Sequence, residues 1–170
     1  MDSMLVVCYS YTGTARRVAQ LLASHRGWPL GEVVDPQPRG LVRCVLDSVL
    51  RRHPPITYRG PAPGDFRCVV LVTPVWMNRL PGPMRSFLVQ HRQHLHRVAV
   101  IVAQHASGAD KVFAEVTRIL GHAPIAKAAF LQREIEDGSA IGPLLALGNA
   151  LQPPSAVRPP QVVPRTVSAA

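Results

Sequence analysis

Leu5-Val6-Val7-Cys8-Tyr9-Ser10-Tyr11-Thr12-Gly13-Thr14-Ala15-Arg16-Arg17-Val18-Ala19 changes character halfway along. Residues 5–9 are apolar without alternation and rich in β-branched and aromatic types, which is how a strand buried on both faces reads. From Thr14 to His25 the period becomes helical, with Val18, Leu21 and Leu22 on one side and Ala15 and Ala19 as small companions. The connection between strand and helix is only a few residues long.

The same alternation recurs downstream. Glu32–Val34 is a weak second strand, and Asp35-Pro36-Gln37-Pro38 is a loop. Leu41, Val45, Val49 and Leu50 give a helix over 41–52 that His53-Pro54-Pro55 ends. Cys68–Val72 and Val98–Ala103 are continuous apolar strands, and Ile125–Leu131 reads as the last one. Pro81 and Pro83 mark one helix start. Asp110–Leu120 carries Val112, Phe113, Val116, Ile119 and Leu120 on one side, with Gly121 as a stop. Ile141–Leu151 is a weaker, glycine-interrupted helix. Strands that are apolar throughout and alternate with helices predict an α/β domain: a doubly wound parallel sheet with helices on both faces and right-handed crossovers. That domain is expected over 1–151. The tail over 152–170 has five prolines and no aromatic residue, and it is expected to be disordered.

Composition narrows the classes. No apolar run in the 170 residues approaches the ~20 that cross a bilayer, and the first strand begins too early to leave room for a signal peptide. The expectation is a cytoplasmic protein without a membrane partner. Cys8, Cys44 and Cys68 show no C-x-x-C spacing and read as small buried hydrophobes. The formal charge of +9 raises nucleic acid as a partner. Yet the arginines are scattered as Arg16/Arg17, Arg39/Arg43, Arg51/Arg52, Arg79/Arg85 and Arg92/Arg97. No zinc-finger spacing or aromatic RNA-binding signature accompanies them, so nucleic acid is not expected. His91, His94 and His96 have a spacing that could hold a metal, but no carboxylate or cysteine is close in sequence, and a solvated helix end is expected.

In an open parallel sheet, ligands bind beyond the carboxyl ends of the strands, where strand order reverses. Three such ends carry unusual residues. Ser10-Tyr11-Thr12-Gly13-Thr14 alternates hydroxyls with a glycine at a helix start, where backbone N–H groups and the helix dipole favour an anion such as phosphate. An ordinary N-cap by Thr12 or Thr14 accounts equally well for this loop on its own. It lacks the lysine of a nucleoside-triphosphate loop and the G-x-G-x-x-G of a dinucleotide site. Thr73-Pro74-Val75-Trp76-Met77-Asn78 places a tryptophan in a proline-shaped loop, a flat surface for a ring system or else a piece of core. Gln104-His105-Ala106-Ser107-Gly108 has small residues that allow close backbone approach.

Together these segments resemble the flavodoxin family. Residues 6–19 look like its strand, phosphate loop and first helix. Residues 70–88, with Thr73-Pro74-Val75-Trp76 and Pro81-Gly82-Pro83-Met84, look like its second flavin loop and the helix after it. Ser107-Gly108-Ala109-Asp110-Lys111-Val112-Phe113 looks like the start of the helix after the third loop. The resemblance implies a five-stranded sheet in the order 2-1-3-4-5 with FMN between strands 1 and 3. Ser10, Thr12, Gly13 and Thr14 would hold the phosphate, within a cofactor-binding set that extends to Tyr11 and Ala15. Thr73, Pro74, Val75 and Trp76, with Met77 and Asn78, would flank the ring on one side, and Gln104, His105, Ala106, Ser107 and Gly108 on the other. Arg79 is expected near enough to favour the ring's reduced, anionic form. Ala15 replaces a threonine of the family's loop, and Gln104-His105-Ala106 replace glycines or an aromatic.

The implied function is an FMN-dependent redox protein, either an electron carrier or a small reductase. Its partner would be a redox protein or a small-molecule electron acceptor. The alternative is a protein of the same fold that has lost FMN and serves as a binding module.

Overall fold

The computed structural model describes residues 3–36, 40, 42, 46–47 and 49–151. The expected tail over 152–170 lies outside these residues, as do Cys44 and positions 41, 43, 45 and 48 of the expected 41–52 helix. Of the rest, Val42, Leu46, Asp47 and Val49 are helical, whereas Leu50 and Arg51 already form a turn, so the helix ends before the expected Arg52. The chain runs β1 (Met4–Cys8), α1 (Thr14–Arg26), β2 (Leu30–Val34), β3 (Thr57–Arg59), β4 (Cys68–Pro74), α2 (Gly82–His91), β5 (Val98–Gln104), α3 (Ala109–Leu120), β6 (Ala126–Leu131), α4 (Gln132–Asp137) and α5 (Ile141–Leu151).

The sheet order is β3-β2-β1-β4-β5-β6. Five strands are parallel, and their order is the 2-1-3-4-5 expected once β3 is set aside. β3 is an addition that the sequence did not announce. It pairs antiparallel to β2 through Val33 and Tyr58 and extends the five-stranded sheet to six. At the centre, Met4 to Cys8 of β1 pair in register with Cys68 to Val72 of β4. β1 bonds β2 along its other edge, so strand order reverses between β1 and β4. A crevice must open above their carboxyl ends.

Both faces of the sheet are covered, which explains the unbroken apolar runs. Val6, Cys8, Val70, Val72 and Ile101 point to one face with Val18, Ala19 and Leu22 of α1 and Leu144 of α5. Leu5, Val7, Leu71, Val100 and Val102 point to the other, with Met84 and Phe87 of α2 and Val112 and Val116 of α3. The glycine interruption of α5 has a packing cause. A Cβ on Gly148 would lie 2.8 Å from Leu22 Cδ1, so a larger residue would hold α5 away from α1.

Cys8 and Cys68 are buried free thiols in the two central strands. Burial, reinforced by the Glu32 carboxylate, pushes the Cys8 thiol from 9.0 up to about 12. Its folded-state value therefore exceeds its unfolded one, so the contribution to stability is complete below pH 9 and is lost as pH rises towards 12. At ~1.4 kcal/mol per pH unit, the unfolding free energy is expected to fall by ~2 kcal/mol between pH 8 and 10.5 on this account. Urea titrations of wild type and Cys8→Ala across that range check it. A variant that declines as steeply as wild type contradicts it.

Candidate functional site

The loop after β1 shows why its hydroxyls do not cap the helix. Gly13 is the N-cap of α1, with φ +97, and no described side chain makes a cap hydrogen bond. Ser10 is committed elsewhere: its Oγ accepts the N–H of Gly13 at 3.0 Å and closes the turn. The first helical bond runs from Arg17 N–H to Gly13 O, so the N–H groups of Thr14, Ala15 and Arg16 have no intrahelical acceptor. The first turn holds no acidic residue. The ordinary N-cap reading of Thr12 or Thr14 therefore does not hold, and the helix start favours an external anion.

The loop after β4 turns back tightly. Trp76 and Arg79 exchange both backbone hydrogen bonds, at 3.0 and 2.9 Å. The two residues between them, Met77 and Asn78, have φ of +49 and +57. Positive φ at both central positions is the mark of a type I′ turn, which asparagine tolerates and methionine does so at a cost. Met77 is 63% exposed.

The turn is anchored from below by a buried ion pair. Arg85 of α2, 1% exposed, donates its Nε to Glu115 Oε1 of α3 at 2.7 Å. Its other nitrogens donate to the carbonyls of Leu80 at 2.8 Å and Arg52 at 3.1 Å. Leu80 N–H in turn donates to Glu115 Oε2 at 3.3 Å. Both backbone groups of the residue that follows the turn are thus held by one charge pair. Sequence reading counted Arg85 only among the scattered arginines.

The loop after β5 is held by its own side chains. Gln104 accepts the N–H of Ala109 at 3.0 Å and so caps α3. Gly108, with φ +111, is pressed against the β4 loop: a Cβ there would meet Val75 Cγ1 and Asn78 Oδ1 at 2.7 Å and Asn78 Cα at 2.9 Å.

These loops enclose a cavity of about 430 Å³ above the β1/β4 crevice. Its wall brings together Tyr11, Thr12, Thr14, Pro74, Val75, Trp76, Met77, Gln104 and His105 of the expected set. Ala103 and Gln132 complete it, and neither was expected. Gln132 follows β6 directly, so the rule that sites gather at strand ends, extended to the last strand, would have found it. Tyr11 and Trp76 meet edge to face, ring centroids 5.2 Å apart and planes at 85°. Ser10, Gly13, Ala15, Thr73, Asn78, Ala106, Ser107 and Gly108 are not in the wall. Thr73 is fully buried, and the Ala15 side chain packs in the core beneath α1. Arg79 lines a neighbouring cavity, not this one, because the tight turn carries it back past Trp76. Among the described residues no three histidines, cysteines or acids converge on a metal position, His91 and His94 included.

No protein-family model matches the sequence, and no curated protein matches it significantly. Solved structures do match the fold. A flavoprotein from Lactobacillus acidophilus in complex with FMN superposes with a TM-score of 0.67 over 82% of this chain and 99% of that one, at 18% identity. The fold is flavodoxin-like. The apo form of the Lactobacillus protein matches as well, with a TM-score of 0.61 over 76% of this chain and 92% of that one, at 17% identity. Oxidised flavodoxin 1 from Bacillus cereus matches with a TM-score of 0.54 over 91% of this chain and 99% of that one, at 12% identity. No helix among the described residues is long and apolar enough to cross a membrane.

Proposed function

We propose that the cavity binds FMN and that the chain is a redox protein, an electron carrier or a small reductase acting with a protein or small-molecule partner. The observation that carries this reading is the start of α1. It has no described side-chain cap and no acid in its first turn, and the Thr12 and Thr14 that lead into it line a cavity with an aromatic wall. Such a start holds a phosphate through backbone N–H groups, with the threonine hydroxyls as further donors. The volume lies within the range of small-molecule cofactor sites. Pro74, Val75 and Trp76 on one loop and Gln104 and His105 on the other supply a largely apolar enclosure that excludes water from a bound ring.

When bound, FMN supplies one- and two-electron transfer, and the protein contributes position and electrostatics. The exposed Tyr11 and Met77 leave the cavity approachable by a partner. Residues 1–151 form the functional unit in this reading, with 152–170 as an appended tail.

Ala15 and Gln104, two of the positions that depart from the family's loops, have structural accounts. Ala15 faces the core, so its contribution to the loop is its N–H. Gln104 is engaged in capping α3.

Thr12→Ala tests the phosphate assignment. Removing one charge-assisted donor is expected to weaken FMN binding by ~1.5–3 kcal/mol, about ten- to a hundredfold. Riboflavin, which lacks the phosphate, is expected to bind wild type and variant alike. An equal loss for both ligands would place the phosphate away from this loop.

A further inference from the structure

A second cavity, of about 440 Å³, shares Met77 with the first. Its wall gathers four cationic side chains from separate parts of the chain: Arg51 from the segment before β3, Arg79 from the turn, and Lys111 and Arg118 from α3. Lys111 and Arg118 stand seven residues apart and so share one helix face. Arg51 is held at φ +53, a conformation that costs a non-glycine residue energy.

Among the described residues of the wall the only acid is Glu115, and its carboxylate is already engaged. Oε1 lies 2.7 Å from Arg85 and 3.8 Å from Arg118, and Oε2 accepts the Leu80 N–H. Asp110, in the first turn of α3, and Asp47, 4.0 Å from Arg52, stand near in the fold but line no part of this wall. The cations therefore exceed the carboxylates in a concave space, which focuses a positive potential on whatever enters it. Guanidinium groups present paired donors that fit phosphate oxygens.

We propose that this cavity recognises the phosphate of a phosphate-bearing small molecule, whose remainder reaches the first cavity past Met77. The anion site stands on its own residues; the step that makes its ligand a reactant of the neighbouring site rests on the FMN reading. A small molecule is favoured over an acidic protein because the cations converge on one hollow of small-ligand size rather than spreading over a flat rim.

Inorganic pyrophosphate is the probe, titrated by calorimetry at low salt into the full chain. One series uses FMN-saturated protein and one uses FMN-free protein, with Thr12→Ala in each to separate this cavity from the α1 loop. Saturable binding is expected in both series and is weakened about tenfold by Lys111→Gln and by Arg118→Gln, whereas any part of the FMN-free signal that Thr12→Ala removes belongs to the α1 loop and not to this cavity. Both substituted residues are exposed, so folding is spared. Arg59→Gln, on the remote edge strand, is expected to leave binding unchanged. Equal losses from all three substitutions, or no saturation by ~1 mM, would reduce the cavity to solvated cationic surface and overturn the proposal. Tighter binding of polyglutamate than of pyrophosphate, lost in the same two variants, would overturn it in favour of an acidic protein. Failure of FMN to bind leaves the FMN-free series to decide the anion site.

Discussion

Arg85→Leu is expected to lower the unfolding free energy by ~3–5 kcal/mol, the usual cost of stripping one partner from a buried charge pair. The substitution leaves Glu115 as a buried carboxylate whose nearest remaining cation, Arg118, is 3.8 Å away and largely exposed. It also removes the donor that now satisfies the carbonyls of Leu80 and Arg52. Domains are typically stable by ~5–15 kcal/mol, so the loss is a large share of the total. Arg85→Leu combined with Glu115→Leu is expected to recover part of it, because the uncompensated charge is then gone. Urea denaturation of the two variants and wild type measures both steps. A loss below ~1 kcal/mol for the single variant would mean that the pair is not the anchor described here.

Gly108→Val is expected to open the site. The position combines φ +111 with a Cβ clash against the backbone of Asn78 and the side chain of Val75. Backbone strain of ~1–3 kcal/mol and overpacking of similar size add, and the relief available is to push the Trp76–Arg79 turn away from the third loop. A displacement of that wall is expected to weaken FMN binding about a hundredfold, with a fall in melting temperature. Gly121→Ala separates the two causes. It has φ +80 but nothing within 4 Å of its Cβ, so it should lose stability through strain alone and keep its FMN affinity. Equal affinity losses in both variants would show that the close approach of Gly108 to the turn does not shape the cavity.

Legibility in the sequence followed local pattern. β1, β4 and β5 are unbroken apolar runs because each packs helices on both faces, and that condition is written into consecutive residues. β3 is invisible for the opposite reason. It is three residues at an edge, Thr57 and Arg59 are exposed, and such a strand has neither period nor run. The short helix α4 buries no residue fully and leaves no stripe to read.

Within the site, Thr12, Thr14 and Trp76 were legible as residue types at strand ends. What they do relative to one another was not. The choice between cap and anion site at Thr12 depended on where Ser10 Oγ and the helix start point, which one sequence does not encode locally. Arg79 was expected beside the ring because it is three residues past Trp76. The Met77–Asn78 turn reverses the chain between them and sends Arg79 into the neighbouring cavity. Arg85 looks like any helical arginine until Glu115, thirty residues on and in another helix, is brought against it.

Titration of the purified chain with FMN, followed by calorimetry and flavin fluorescence, bears most directly on the central claim. The account predicts one site per chain with a dissociation constant of ~1 μM or below, about −8 kcal/mol, and a shifted indole N–H signal for Trp76 on binding. No heat, no change in fluorescence and an unmoved Trp76 signal with FMN up to ~1 mM would contradict it, leaving a flavodoxin-like fold that serves some purpose other than carrying flavin.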